Sequence, residues 1–261
     1  MKTLLLDCAS GIAGDMTVAS LLDLGADWDG LYQTLTALLP DCQFHLQTVQ
    51  REETLAKDFD VQLPDGHKHA HEVTEEHEHR HHHEHMHAAE SRNLQDVLTL
   101  IQSSALSVQA KATAEKIFRI VAEAEATVHQ KPLNEVHFHE VGAADSIADI
   151  CGVAYCLDNL GIEKVLATPL AEGTGTVLCH HGRLPVPVPA TKAITERYQV
   201  PVYQTDNNGE MVTPTGAAIV AALAESYVSA ADYPALQVGY GAGKRVFKQP
   251  NLLRAILIEE A

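Results

Sequence analysis

Thr3-Leu4-Leu5-Leu6-Asp7-Cys8-Ala9-Ser10-Gly11-Ile12-Ala13-Gly14-Asp15 opens the chain, and its reading decides the fold. Thr3–Asp7 is a short apolar run closed by an acid, as a buried strand is. Ser10–Asp15 is a glycine-bearing turn. The spacing beyond it predicts a helix from Asp15 to Leu24, stopped by Gly25. Strands alternating with helices point to an α/β architecture.

The alternation continues outward from this unit. A helix is expected at Leu31–Leu39, ending at Pro40. Phe44, Leu46 and Thr48 alternate as in a half-buried strand, and so does Asp58–Leu63, which Pro64-Asp65-Gly66 ends. Ser91 is a candidate N-cap for Leu94, Val97, Leu98 and Ile101 at helical spacing. A longer helix is expected from Ser107 to His129. Then come a strand at Glu135–His139, a helix at Asp145–Leu160 closed by Gly161, and strands at Val165–Thr168 and Thr174–Cys179. Leu184–Pro189 is extended, because each proline turns its predecessor away from helix. Pro189 can start a helix at Ala190–Tyr198. An apolar helix at Thr215–Tyr227 and strands at Leu236–Tyr240 and Leu252–Ile258 complete the reading. The expected fold is a mixed sheet flanked by helices and interrupted by a disordered His-rich insert. Residues 1–66 and 91–261 form the α/β domain, and residues 67–90 form the insert.

That insert holds ten of the chain's sixteen histidines, between His67 and His87. It has too few apolar residues to bury and order itself. Imidazole suits nickel, zinc and copper, so His79, His81, His83 and His85 are candidate metal ligands. A solvated spacer is the plain alternative. The formal net charge of -17 argues against nucleic acid and favours cations. No run reaches the ~18 apolar residues of a membrane helix. The first residues do not resemble a signal peptide, so a cytoplasmic protein is expected. Five cysteines without paired-ligand spacing suggest thiols rather than disulfides.

Five stretches can carry chemistry. In the first, Ser10, Gly11 and Gly14 open a helix N-terminus that suits an anion, while Asp7 and Asp15 can hold a hard cation. Without a metal or phosphate it is a tight turn. In the second, His137 and His139 face one side of a strand, with Glu140 beside them. Asp145 and Asp149 follow one helical turn apart. A buried Asp149 on an apolar helix is costly without a partner. In the third, Glu172-Gly173-Thr174-Gly175-Thr176 leads to Cys179 and His181, a thiolate and an imidazole two residues apart. In the fourth, Thr213, Thr215 and Gly216 enter another helix, which Thr215 can cap. In the fifth, Gly241 precedes Lys244 and Arg245, which can pair with phosphate. A solvated turn is the bland reading of that loop. No Gly-x-Ser-x-Gly elbow and no His-Glu-x-x-His helix is present.

LDCASGIAGDM (6–16), the histidine run, VHFHEVGAADSIADI (136–150), EGTGTVLCHHGRLPVPVPA (172–190), TPTGAAI (213–219) and GYGAGKR (239–245) occur in this order. Together they resemble the LarC family of nickel insertion proteins, over essentially the whole chain. The resemblance implies CTP-dependent insertion of nickel into pyridinium bisthiocarboxylic acid mononucleotide. That step completes the nickel-pincer cofactor of lactate racemase, with Mg²⁺ or Mn²⁺ assisting. It implies catalytic roles for Asp7, Asp15, Asp145 and Glu140. Phosphates would lie at Ser10, Gly11, Gly14, Thr213, Thr215, Gly216, Gly241, Lys244 and Arg245. Nickel would meet His137, His139, Asp145, Asp149, Cys179 and His181, supplied by the histidine run. Two departures stand out: Val246 replaces an expected acid, and the family usually continues into a C-terminal domain linked to oligomerisation. A C-terminal domain or subunit, a homo-oligomer and lactate racemase are the implied partners. The competing readings are a nickel store or metallochaperone, and another phosphate-handling metalloenzyme.

Overall fold

A computed structural model describes residues 2–63, 92–135, 144–179 and 182–259. Strand β1 (Thr3–Asp7) leads through the glycine turn into α1 (Gly14–Asp23), as expected. Gly25 closes α1 with φ +104°, the left-handed conformation that favours glycine. Helix α2 (Trp28–Leu38) is capped by Asp27 and precedes the hairpin β2 (Gln43–Arg51) and β3 (Thr54–Gln62). Helix α3 (Leu94–Ser103) starts at Asn93, which forms a reciprocal capping box with Asp96. Ser91, expected in that role, lies outside the described residues. Helix α4 (Val108–His129) has Ser107 as its N-cap.

After α4, Leu133–Glu135 is a 3-10 turn; of the strand expected at Glu135–His139 only Glu135 is described, and residues 136–143 lie outside the described set. Helix α5 (Ala144–Asn159) and strand β4 (Lys164–Ala167) match the sequence reading. The single strand expected at Thr174–Cys179 is two. Gly175, at φ +82°, separates β5 (Leu170–Thr174) from β6 (Thr176–Cys179), which pairs with β7 (Gly182–Pro185). Helix α6 (Pro189–Arg197) follows, then β8 (Val202–Asn208), which pairs with β5. Largely exposed and polar, β8 lacks the alternation that marks a half-buried strand.

The helix expected at Thr215–Tyr227 is shorter. Helix α7 (Pro214–Leu223) stops, Ala224 turns extended, and β9 (Ala224–Tyr227) joins β4 in parallel. A short apolar run fits either period, and the open edge of β4 decides. The 3-10 turn Ala230–Asp232 leads to β10 (Ala235–Ala242) and β11 (Leu252–Ile258).

The main sheet runs β2-β3-β10-β11-β1-β4-β9. Strand β1 is parallel to β4 and antiparallel to β11, so the sheet is mixed and helix-flanked as expected. Leu4 and Leu6 join the large core shared with the helices, whereas Leu5 faces a smaller cluster with Leu166, Ile256 and Ile258. Burial on both faces explains why β1 is a continuous apolar run. Among the described residues no helix is long and apolar enough to cross a membrane.

Candidate functional site

Helix α1 begins on Ala13, whose side chain cannot cap it. Carboxylates take over that task. The Asp15 carboxylate accepts from the Met16 N–H at 2.8 Å, and the Asp149 carboxylate, from α5, accepts from the Asp15 N–H. Two acids thus share the positive end of one helix. Gly14 makes room for them, since a Cβ there would lie 2.5 Å from Asp149 Oδ2. Asp145, one turn before Asp149, adds negative charge to it.

The countercharge comes from the loop between β10 and β11. Lys244 Nζ lies 2.5 Å from Asp60 Oδ1 and 3.6 Å from Asp15 Oδ2. Asp58, also on β3, is 8% exposed, and its Oδ2 accepts from Gln47 Nε2. Asp58 Oδ1 and Asp149 Oδ1 are buried without a hydrogen-bond partner among the described residues. Burial raises the pKa of Asp15. Burial, with the charges of Asp15 and Asp145, holds Asp149 well above the carboxylate range. Burial acts to lower the Lys244 pKa, but Asp15, Asp60 and Asp149 together raise it above the lysine range. Orphaned carboxylate oxygens beside carboxyls that resist ionisation suit a hard divalent cation. A cation there would draw off the protons that burial retains.

Asp7 belongs to a different grouping. Expected beside Asp15, it is instead held by Arg254, its antiparallel neighbour on β11, through both Nε at 2.8 Å and Nη2. It also accepts from the Ala9 N–H. Its carboxylate is therefore engaged and only 4% exposed, an anchor for the end of β1 rather than a second cation ligand. A cavity of about 430 Å³ opens there, past the carboxyl ends of β1, β4 and β9, with Tyr203 and Tyr227 in its wall.

In the anion cradles expected at Ser10–Gly14 and Thr213–Gly216, several N–H groups are engaged inside the fold. Gly11, at φ +87°, donates to Cys8 O, and Ile12 N–H to Met211 O. Gly216 N–H caps onto Thr213 Oγ1, so Thr213 rather than Thr215 is the cap of α7. Ser10 is half-buried in the turn, and Gly241 lets β10 approach Met16 of α1. The anion that converging N–H groups need is supplied by the chain. Glu172 Oε1 accepts from Gly173, Met211 and Val212 at 2.8, 2.8 and 3.3 Å. Burial nonetheless raises the Glu172 pKa. Its sequence signal is a lone acid within a run of small residues.

His79, His81, His83, His85, His137, His139, Glu140 and His181 lie outside the described residues. Cys179 Sγ, expected to face nickel, lies 3.4 Å from Gly182 O. Among the described residues no group of three or more His, Cys, Asp or Glu is arranged to hold a metal ion.

Comparison with known proteins adds what geometry does not. The family model described as nickel insertion protein matches residues 4–261. The chain belongs to the nickel insertion protein family. A relative from Alkaliphilus metalliredigens is 44% identical over 98% of this chain and 60% of its own length. One from Akkermansia muciniphila is 41% identical over 99% of this chain and 61% of its own. Both are named pyridinium-3,5-bisthiocarboxylic acid mononucleotide nickel insertion protein. This chain therefore spans about 60% of the length of the curated relatives it matches. No solved structure matches it.

Thiols matter in a nickel insertion protein, because thiolate is a soft nickel ligand. Cys8, Cys151 and Cys156 are fully buried, and burial pushes Cys151 up to about 12 and the other two higher. Burial also raises half-buried Cys42. Brief iodoacetamide treatment at pH 8 should mark Cys179 first and Cys42 next. The other three should react only after denaturation. Peptide mass spectrometry reads the order, and prompt labelling of Cys151 would contradict its placement.

Proposed function

We propose that the chain acts in CTP-dependent insertion of nickel into pyridinium bisthiocarboxylic acid mononucleotide, completing the nickel-pincer cofactor of lactate racemase. Membership of the nickel insertion proteins supports the nickel role, and the relatives' names support the substrate. The observation that carries the reading is the Asp15–Asp149 pair at the α1 N-terminus, with Asp145 beside it and Lys244 as countercharge. Bound there, Mg²⁺ or Mn²⁺ would neutralise nucleotide phosphate charge. Asp15 and Asp149 would lend it oxygen ligands beside those of the phosphates, with Asp145 adding negative charge. His137, His139 and Glu140 stand a few residues before Asp145 in the sequence and are the residues assigned to meet nickel. The ten histidines of the 67–87 run are the nickel supply.

The test is reconstitution with this chain, alone and beside a full-length relative. Nickel and the bisthiocarboxylate mononucleotide are supplied with CTP, ATP, GTP or no nucleotide. Metal analysis of the purified product reads insertion. CTP should support it well above the others, and equal insertion without nucleotide would refute the CTP assignment. Deletion of residues 67–87 separates an inserting enzyme from a nickel store. An enzyme keeps its rate at saturating nickel and slows only at low nickel.

A further inference from the structure

In a chain with 18 Lys and Arg against 35 Asp and Glu, three cationic side chains converge on one hollow. It measures about 370 Å³ and lies between the β2–β3 turn and the β10–β11 loop. Arg51, the last residue of β2, donates through Nη2 to Gly243 O at 3.2 Å, which ties the two segments together. Among the described residues Arg51 meets carbonyls rather than carboxylates. Arg245 lies 3.4 Å from Glu210 at the hollow's inner side, and Lys244 faces both the hollow and the carboxylate cluster. Half-buried Phe247 gives the wall a ring, next to Val246, which is 95% exposed.

Guanidinium forks match phosphate oxygens, and an aromatic wall stacks on a heterocycle. A hollow of this size suits a small ligand. We infer that this hollow binds the phosphate of an aromatic mononucleotide, with Arg51 and Arg245 on the phosphate and Phe247 against the ring. The inference rests on the mononucleotide chemistry proposed above and adds Arg51 and Phe247 to it. Lys244 makes the hollow continuous with the cation centre, so phosphate and cation meet across one side chain. Two phosphates fit the description, that of the pyridinium substrate and those of CTP.

Calorimetric titration of the full chain, without nickel, tests this. The probes are nicotinate mononucleotide for the pyridinium class, CTP, ribose 5-phosphate without a ring, and cytidine without phosphate. Arg51→Ala should weaken binding of the phosphorylated probes on the order of 10–100-fold. Phe247→Ala should weaken the ring-bearing phosphates about 10-fold and leave ribose 5-phosphate unchanged. Cytidine should respond little to Arg51→Ala. Whichever of nicotinate mononucleotide and CTP loses more identifies the source of the phosphate. Arg51 sits at a hairpin tip, so its variants should melt like wild type, and Arg51→Lys should fall between wild type and Arg51→Ala. A folded Arg51→Ala protein that binds every phosphate as wild type does overturns the inference. Turnover is not read here, so binding without insertion refutes only the proposed function. Insertion with no effect of Arg51→Ala or Phe247→Ala on binding refutes only the hollow.

Discussion

Asp149→Asn should cut nickel insertion on the order of 100-fold while making the protein more stable. The asparagine keeps an oxygen for the Asp15 N–H but removes a charge from the crowded end of α1. Burial is the first cause of the raised Asp149 pKa, and the Asp15 and Asp145 charges add to it. A carboxyl whose folded pKa is raised stabilises the fold while protonated, below its ordinary unfolded value. That contribution is lost as pH rises through the folded pKa. At pH 7–8 the aspartate therefore opposes folding, and the Asp149→Asn variant should gain about 1–3 kcal/mol. Below about pH 4 both carboxyls are neutral and the gain should vanish. Urea unfolding at the two pH values measures it. A variant that is destabilised at neutral pH, or that inserts nickel at the wild-type rate, removes Asp149 from the centre.

Arg254→Ala should be the most damaging single change among the polar residues described. It strips the guanidinium from a carboxylate that is 4% exposed at the end of the central strand. Breaking a buried pair costs about 3–5 kcal/mol. The Arg254 side chain is 44% exposed, and the Ala9 N–H still reaches Asp7, so the lower end of that range applies. Adding Asp7→Asn should restore much of the loss, because the orphaned charge goes with it. Additive losses in the double variant would show that Arg254 stabilises through other contacts.

The strand-turn-helix start was legible because both of its periods and its glycine stop are local. So was the need of Asp149 for a partner, since a charge on an apolar helix face has to be answered. Its answers were not legible. Lys244 reaches the cluster from 95 residues beyond Asp149 through the β10–β11 loop, and Asp58 and Asp60 enter it from β3. Alternation marked β3 as a strand, but only its place beside β10 shows which neighbours its acids meet. Asp7 stands at a strand end, where sequence alone suggests a ligand. The register sets it opposite Arg254, 247 residues away, and engages its carboxylate there. The glycine turns are legible as turns. Several of their N–H groups are engaged because two such loops pack on each other, which neither sequence states alone.

The Lys244 ammonium also bears on how the centre lets go. A metal ion entering it must compete with a cation that already lies 3.6 Å from Asp15 and pairs with Asp60. Its net affinity is thereby lower than the neighbouring acids would give alone. The displaced lysine stays tethered beside the acids, ready to return. Such an arrangement is a poor vault and a good courier. It favours short residence and ready release of the cation.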